Sequence, residues 1–395
     1  MTAAADYRRV RGLTETLAAP LGPEDQTVQS MPDASPTKWH RAHTTWFFEE
    51  FVLGPAVTDY RLFHEGYRYL FNSYYEAVGP RHPRPERGVI TRPGVAEVAA
   101  YREHVDEAMA RLLDRGAGST ASLVELGLNH EQQHQELLVM DIQHALSRSP
   151  LAPAYGPLPW RAPVLAPGGD GAWLRHDGGI VEVGHDGQGF AFDNESPVHG
   201  ELLRPFEVAP SLVTNADWLA FMADGGYERP ELWMSEGWAL VQAHGWRAPE
   251  YWRERDGTWW AFGLAGLQPV AADGAVTHVG WFEADAFARW AGARLPREAE
   301  WEALAPEPGD PAALAGGFFG TVWQWTASPY GAYPGFVPAS GAVGEYNGKF
   351  MVNQQVLRGS CLATPPGHAR RTYRNFFPPH ARWMFAGVRL ARDPA

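Results

Sequence analysis

One stretch of the sequence decides the N-terminal architecture: Leu128-Asn129-His130-Glu131-Gln132-Gln133-His134-Gln135-Glu136-Leu137. Apolar residues recur at three- and four-residue spacing on both sides of it, through Ser119–Leu146, which predicts an amphipathic helix. His130 and His134 fall on the apolar stripe of this helix, one turn apart, where leucine is expected. Because buried polar groups need partners, the spacing predicts that the two imidazoles converge on a metal ion.

Two other interpretations of this pair stay open. The histidines would also be compatible with a packed core in which each bonds to a neighbouring helix. His-Glu-Gln-Gln-His also satisfies the H-E-x-x-H pattern of zinc peptidases, in which Glu131 would act as general base beside a zinc-bound water. No downstream signature of a zincin class follows it. Spacing alone does not separate zinc from iron.

A third ligand is expected from the helix that opens after Pro36, which carries His40 and His43. His43 shares the apolar face with Trp39 and Trp46, whereas His40 lies nearer the polar side, so His43 is preferred. Three neutral imidazoles leave a metal its full 2+ charge and several open positions. Such a site suits iron(II) that must hold both dioxygen and a substrate.

The bulk properties limit the classes of partner. The net charge is −13 without an extended run of Lys or Arg, which argues against nucleic acid or an anionic membrane surface as the partner. No stretch approaches the roughly 20 apolar residues of a membrane span, and the N-terminus lacks the apolar core of a signal peptide. Cys361 is the sole cysteine, which excludes an intramolecular disulfide. We therefore expect a cytoplasmic protein of undetermined oligomeric state.

The length of 395 residues predicts two domains. Residues 1–148 are predicted to form a four-helix bundle, with a proline-rich loop over Gly79–Arg92. Its last helix should begin near Ser119, with a capping box formed by Ser122 and Glu125. The bundle's helices are predicted over Tyr7–Leu17, Lys38–Leu53, Val95–Leu113 and Ser119–Leu146.

The composition changes after the bundle. Residues 149–173 are rich in Pro and Gly and are predicted to be a linker. Residues 174–395 are predicted to be a loop-rich α+β domain. The patterns indicate strands at Ile180–Val183 and Glu201–Val208 and helices at Asn215–Ala223 and Glu283–Trp290.

Six segments, in collinear order along nearly the whole chain, resemble the sulfoxide synthases of the ergothioneine pathway, also called hercynine oxygenases. They are Ser35–Phe48, Tyr69–Gly79, His130–Leu137, Phe319–Thr326, Gly344–Met351 and Thr372–Pro379. The resemblance implies an α+β protein in which a DinB-like four-helix bundle precedes a formylglycine-generating-enzyme-like domain of C-type-lectin fold. The active site would lie between the two.

The resemblance also implies the chemistry. It implies iron(II), dioxygen, hercynine (Nα-trimethylhistidine) and a thiol as participants, and a sulfoxide product with sulfur on C2 of the imidazole. Matched motif by motif, the metal ligands are His43, His130 and His134. The Tyr74-Tyr75 pair resembles the cysteine-using branch, in which tyrosines near the iron steer the outcome. A phenol there would donate a proton and favour C–S bonding, although adjacent tyrosines on a helix point apart and one would then only pack.

Substrate contacts are implied by the same matching. Arg84 and Arg87 lie in the proline-stiffened loop and resemble the arginines that bind the cysteine carboxylate, although loop arginines are often simply solvated. The quaternary ammonium of hercynine donates no hydrogen bond and needs aromatic faces or carbonyl oxygens. The matching positions are Gln133, Asn375, Phe376 and Phe377, which would otherwise pack at the domain interface.

Three alternative functions stay open. A selenoneine synthase would have the same fold and iron with a selenium donor. A zinc hydrolase would use Glu131 as its base, and a non-catalytic lectin-like module would leave the buried histidines unexplained. Cys361 lacks the second cysteine that a copper-loaded formylglycine-generating enzyme requires, so that activity is not expected.

Overall fold

The computed structural model describes residues 2–161, 163, 171–339 and 342–394. Four long helices make up the N-terminal part, and two short ones lie between the second and third of them. A π-helical turn at Glu49–Leu53 continues the second long helix, and 3₁₀ turns cover Arg84–Val89 and Gly118–Thr120. The helices are α1 (Ala3–Ala18), α2 (Thr37–Phe48), α3 (Gly54–Ala56), α4 (Tyr67–Phe71), α5 (Val95–Asp114) and α6 (Ala121–Ser147).

The four predicted helices of the bundle are thereby confirmed. α2 packs against α5 and α6, and α1 packs against α6 and α5. Every residue of α2 is buried, because the helix is surrounded by the other helices of the bundle. Its polar side chains must therefore find partners inside the protein.

The predicted capping box at the start of α6 is wrong. The helix begins at Ala121, and Thr120 at its N-cap makes no side-chain cap hydrogen bond. The chain enters α6 directly from the 3₁₀ turn Gly118–Thr120, and Thr120 at the junction already has helical backbone angles. Ser122 and Glu125 consequently lie inside the helix, beyond the position from which a side chain caps it.

The rest of the chain mixes helices with short strands, as an α+β class predicts. Its described residues form five α-helices: α7 (Asn215–Ala223), α8 (Ser235–His244), α9 (Trp281–Trp290), α10 (Glu298–Leu304) and α11 (Pro311–Ala315). The patterns predicted α7 and α9. They did not indicate α8, α10 or α11.

Twelve strands form four small sheets in the described residues. The orders are β10-β9-β8-β11, β1-β4-β12, β5-β6-β7 and the hairpin β2-β3. The strands are β1 (Leu174–His176), β2 (Gly179–Val183), β3 (His199–Leu203), β4 (Phe206–Val208), β5 (Trp252–Arg255), β6 (Thr258–Gly263), β7 (Gly266–Pro269), β8 (Trp323–Pro329), β9 (Gln355–Gly359), β10 (Asn375–Phe377), β11 (Ala386–Gly387) and β12 (Ala391–Arg392).

One predicted strand differs. The stretch Glu201–Val208 forms two strands that belong to different sheets, because β3 pairs with β2 while β4 pairs with β1 and β12. Pro205 lies between them and has no N–H for a sheet ladder, so the strand is interrupted there.

The described part of the predicted linker contains no helix or strand. It contacts both halves of the molecule. The Tyr155 hydroxyl donates to the backbone carbonyl of Leu17 at 2.7 Å, and the Trp160 indole donates to the backbone carbonyl of Leu362 at 2.9 Å. Residues 162 and 164–170 of this segment lie outside the described residues, and the boundaries at 148 and 173 stay predictions. Among the helices that are described, none combines the length and hydropathy needed to cross a bilayer.

Candidate active site

Three histidines from two helices of the bundle meet at one point. His43 on α2 and His130 and His134 on α6 each offer a ring nitrogen, and these atoms lie within 4.8 Å of one another. His43 is 0% and His130 1% exposed, and their Nε2 atoms are 3.2 Å apart. The indoles of Trp39 and Trp46 stack on the His43 ring at centroid distances of 4.6 and 5.5 Å. The i, i+4 spacing on α6 thus produces the convergence that the sequence predicts.

The protonation of these rings suits a metal. Burial lowers the pKa of all three imidazoles, that of His130 to about 3. Each ring is therefore neutral at pH 7 and has a nitrogen lone pair to offer to a metal. His43 Nδ1 is 2.6 Å from the carbonyl oxygen of Phe71, to which only a protonated nitrogen donates, so its Nε2 carries the free lone pair. Three neutral imidazole nitrogens suit a divalent transition metal, and His43, His130 and His134 are the residues that would hold it.

His40 has a different role from the one its helical position suggested. It is only 2% exposed, and its Nδ1 lies 2.8 Å from His134 Nδ1 while its Nε2 lies 3.1 Å from Asp141 Oδ2. His40 is therefore not one of the three converging donors but a direct neighbour of one of them. The helical-wheel argument placed it toward the polar side and did not anticipate this contact.

Glu131, the acidic residue of the H-E-x-x-H pattern, points away from the three histidines. Its carboxylate is 0% exposed and accepts hydrogen bonds from Arg11 at 2.9 Å, Arg102 at 3.0 Å and Thr14 at 2.6 Å. Burial alone would raise its pKa, but the two guanidinium groups lower it to about 2. A carboxylate held in this way ties α1, α5 and α6 together and does not reach a metal-bound water, so the geometry opposes the zinc-peptidase interpretation.

A cavity of about 400 Å³ opens in front of His130 and His134, within the range of small-molecule sites. Both halves of the chain line it. Most of the predicted site residues are on its wall: Tyr74, Arg84, Arg87, His130, Gln133, His134, Asn375, Phe376 and Phe377. His43 and Tyr75 lie behind this wall, fully buried.

Arg87 contributes a buried positive charge to the cavity. It is 2% exposed, its guanidinium carbon lies 3.4 Å from the centroid of the Trp39 indole, and it donates to the hydroxyls of Ser35 and Ser73 at 2.9 and 3.3 Å. No carboxylate of the described residues forms an ion pair with it. Burial, and next the neighbouring Arg84 guanidinium, lower the pKa of Arg87, as expected for a buried cation without a bound counter-ion. Arg84 itself is exposed and donates to the carbonyl oxygen of Asp33.

The two adjacent tyrosines stack on each other at a centroid distance of 4.6 Å. Tyr74 faces the cavity, and Tyr75 packs behind it against Trp46. Burial raises the pKa of both phenols, so both keep their protons at neutral pH. The second half of the chain holds this segment in place. Lys349 donates to the backbone carbonyl of Tyr74, and Glu345 accepts from two consecutive backbone N–H groups just after Tyr75, each at 3.0 Å.

Gln133 connects the metal-binding helix to the opposite wall. Its amide nitrogen donates to the Tyr373 hydroxyl at 2.5 Å, and its amide oxygen accepts from the Tyr346 hydroxyl. The Tyr346 ring also lies edge-on to His130, with centroids 5.7 Å apart. Phe376 stacks on Tyr330 at a centroid distance of 4.0 Å, so the wall formed by β10 is aromatic.

Both halves of the chain match known families. Residues 6–138 match the DinB superfamily, and residues 172–311 and 315–394 match the sulfatase-modifying factor enzyme 1-like domain. The hercynine oxygenase of Mycolicibacterium smegmatis is 35% identical over 311 residues, which cover 68% of this chain and 71% of that protein. The hercynine oxygenase of Mycolicibacterium thermoresistibile is 31% identical over 408 residues, covering 92% and 88%.

The chain belongs to the hercynine oxygenase family. It is therefore an enzyme of the oxygenase class, and the resemblance to the sulfoxide synthases of ergothioneine biosynthesis is confirmed. The formylglycine-generating enzyme of Streptomyces coelicolor is 34% identical over 179 residues, covering 41% of this chain and 53% of that enzyme.

Cys361, the lone cysteine of this chain, is buried where the two halves of the chain meet. Burial raises the pKa of the Cys361 thiol, which disfavours a thiolate. Beside it, Glu136 of α6 accepts hydrogen bonds from the Trp323 indole at 2.6 Å and the Thr364 hydroxyl at 2.5 Å. The cysteine region thus contributes to the contact between the halves.

Several site residues were not predicted. Tyr346 and Tyr373 lie in segments that carried the family resemblance, Gly344–Met351 and Thr372–Pro379, but nothing in the sequence indicated that both would reach Gln133. His40 was considered only as a ligand. The available signal was its position three residues before His43, which places it on an adjacent face of the same helix.

Proposed function

We propose that this chain is an iron(II)- and dioxygen-dependent sulfoxide synthase that joins cysteine to C2 of the hercynine imidazole. The observation that supports this most strongly is the composition of one cavity. It combines three converging neutral histidines, a buried arginine that forms no ion pair with any of the described residues, and an aromatic wall. Each of these features suits one participant in the proposed reaction, respectively the metal, the thiol carboxylate and the quaternary ammonium.

In this proposal His43, His130 and His134 hold iron(II). When bound, the iron supplies a centre at which dioxygen and the thiol are activated together. The three ligands carry no charge, so a thiolate substrate would bring the first negative charge to the metal. Zinc would lack this redox chemistry, and the placement of Glu131 removes the base that a zinc hydrolase would need.

Arg87 binds the carboxylate of cysteine in this proposal. Its buried guanidinium is held by two serine hydroxyls and by the Trp39 face, so it is preorganised before a ligand arrives. An incoming carboxylate would supply the direct ion-pair partner that the described residues do not provide. Arg84 is exposed at the edge of the cavity and would contribute less to this contact.

The hercynine molecule would lie against β10 and α6. Phe376 and Phe377 offer ring faces to the trimethylammonium group, and Asn375 and Gln133 offer amide oxygens near it. Gln133 is fixed by Tyr346 and Tyr373, so its orientation is set before binding. Ring faces packed around the bound cation would displace water from it, which would strengthen the interaction between the cation and the rings.

Tyr74 or Tyr75 would deliver a proton from its phenol oxygen. Both phenols stay protonated at neutral pH, as a proton donor requires. Tyr74 has direct access to the cavity, which favours it over Tyr75 as the donor. Its backbone is held by Lys349, so its approach to the metal depends on the second half of the chain. We expect the reaction to take place in the cytoplasm.

The test is product analysis under controlled oxygen. The protein is loaded anaerobically with iron(II) and then exposed to dioxygen with hercynine plus cysteine, γ-glutamylcysteine or a selenium donor, and the adducts are read by mass spectrometry. A cysteine–hercynine sulfoxide as the main adduct would support the proposal. A preferred selenium adduct would instead support selenoneine synthesis, which the same fold and arginine would accommodate. One bound iron without any adduct would refute the substrates while keeping the metal.

A further inference from the structure

Behind the three converging histidines, a chain of two further polar side chains runs into the protein. His134 Nδ1 lies 2.8 Å from His40 Nδ1, and His40 Nε2 lies 3.1 Å from Asp141 Oδ2. Asp141 is in turn held by the backbone N–H of Ser35, which donates to the same oxygen at 2.8 Å. His40 and Asp141 are both buried. The order is therefore carboxylate, imidazole, imidazole, and then the cavity.

The direction of each hydrogen bond follows from the chemistry of Asp141. An ionised carboxylate accepts and does not donate, so the His40 nitrogen that faces it, Nε2, must carry the proton. A neutral His40 then has its lone pair on Nδ1. His40 Nδ1 consequently accepts from His134, which must carry its own proton on Nδ1. This leaves the lone pair of His134 on Nε2, the nitrogen that is free to face the other two histidines.

The Nδ1 atoms of the three converging histidines differ in their hydrogen-bond partners. The Nδ1 of His43 is satisfied by a carbonyl oxygen of the main chain, that of Phe71. The Nδ1 of His130 is buried and has no hydrogen-bond partner in the part of the chain that the structure describes. Among the described residues, His134 is the one of the three that hydrogen bonds connect to a carboxylate, through His40.

We infer that His40 and Asp141 are positioning residues that hold the His134 ring in place, in the tautomer with a free Nε2 lone pair. A partner that accepts from the outer nitrogen of a ligating imidazole fixes the ring orientation and raises its basicity. Ser35 couples this chain to the substrate side of the cavity, because its hydroxyl accepts from Arg87 while its N–H holds Asp141. The inference rests on the proposed role of His134 as a metal ligand.

The first test is metal affinity, measured without turnover. Fe(II) is titrated anaerobically against a competing chelator in the full-length protein and in two variants of one position. His40→Leu removes the acceptor and should raise the Kd for Fe(II) by about 10- to 100-fold. His40→Asn keeps a side-chain oxygen near the position of Nδ1 and should recover most of that loss. His144→Leu serves as the matched control, because His144, on α6, is a buried histidine like His40 but bonds to Ser30 instead of a proposed metal ligand. Its Kd for Fe(II) should equal that of the parent.

The second test reads the tautomer directly in the metal-free protein. In ¹⁵N-histidine-labelled parent protein, the nitrogen spectrum of His134 should show a single form with the proton on Nδ1. Asp141→Ala removes the group that sets the direction of both hydrogen bonds, so His134 should then show both neutral forms. This measurement does not require metal binding and stays informative if His40→Leu folds poorly.

The outcomes separate the inference from the proposed metal site. If the parent does not bind Fe(II), the proposed metal site itself is wrong. If the parent binds but His40→Leu binds equally well, or His40→Asn loses as much affinity as His40→Leu, the positioning role is refuted and His40 only fills space. A single unchanged tautomer of His134 in Asp141→Ala would refute the role of Asp141.

Discussion

Replacing Glu131 by Gln distinguishes a structural ion network from a catalytic base in the H-E-x-x-H pattern. In the structure the Glu131 carboxylate is fully buried, and Arg11, Arg102 and Thr14 donate to it. The amide of Gln is nearly the same size but carries no charge, so the substitution leaves two buried guanidinium groups without this partner. We therefore expect a large loss of stability in the bundle and no specific loss of chemistry.

The magnitude follows from the electrostatics of the site. The pKa of Glu131 is lowered from 4.5 to about 2. At about 1.4 kcal/mol for each pH unit, this difference corresponds to about 3 kcal/mol of stability at neutral pH. Removing one member of a buried ion pair costs about 3–5 kcal/mol in other proteins, which agrees. We expect Glu131→Gln to lower the free energy of unfolding of the bundle by about 3 kcal/mol.

The assay is urea unfolding of the metal-free protein, followed by helical circular dichroism. Glu15→Gln is the matched control. It makes the same chemical change to a carboxylate that also pairs with Arg102, but the Glu15 side chain is 43% exposed, so the loss should be smaller, about 1 kcal/mol. Iron content of folded Glu131→Gln should equal that of the parent, because Glu131 does not face the three histidines.

The pH dependence has a defined sign. Because the folded pKa of Glu131 lies below its unfolded value of 4.5, its contribution is fully present above about pH 5 and is lost as the pH falls from there toward 2. The stability difference between parent and Glu131→Gln should therefore shrink by about 1 kcal/mol between pH 7 and pH 4. A Glu131→Gln protein as stable as the parent at pH 7 but catalytically dead would refute this reasoning and restore the general-base interpretation.

Three further predictions concern the cavity. His130→Ala should reduce bound iron from one equivalent to a small fraction, measured by metal analysis after anaerobic loading, and a variant with full iron would contradict the ligand assignment. Tyr74→Phe or Tyr75→Phe should shift the products from the sulfoxide toward the sulfinic acid of the thiol by about 10²-fold, read by mass spectrometry at unchanged iron content. A ratio of sulfoxide to sulfinic acid that is unchanged from the parent in both variants would remove the tyrosines from the mechanism. Arg87→Met should raise the KM for cysteine at least about tenfold with little change for hercynine, whereas Arg84→Met should have a smaller effect, and equal losses for both substrates would count against the carboxylate role.

The helical bundle and its histidine pair were predictable because they depend on short-range spacing. The period of 3.6 residues determines which side chains share a face, so the stretch around His130 and His134 predicted both a helix and a convergent pair of imidazoles. The preference for His43 over His40 came from the same argument and agrees with the three nitrogens that the structure brings together. The family resemblance added substrates and chemistry that spacing alone does not contain.

Local patterns failed where a neighbouring element changed the outcome. The capping box of Ser122 and Glu125 did not form because a 3₁₀ turn leads into the helix. The strand predicted over Glu201–Val208 divides because Pro205 interrupts its ladder and its two ends pair with different partners. In both cases the sequence pattern was present, but the conformation of the adjoining backbone prevented the predicted structure from forming.

What the sequence by itself determined is the identity of the donors and their arrangement along each helix. What only the tertiary structure decided is which groups stand behind them and in front of them. Glu131 is next to His130 in the chain, yet its carboxylate pairs with Arg11 and Arg102. His40 is 94 residues from His134, yet it lies within hydrogen-bond distance of His134 Nδ1. The physical reason is that a helix turns each residue about 100° from the last, so chain neighbours face different surroundings, and hydrogen-bond partners are chosen by the packing of whole elements.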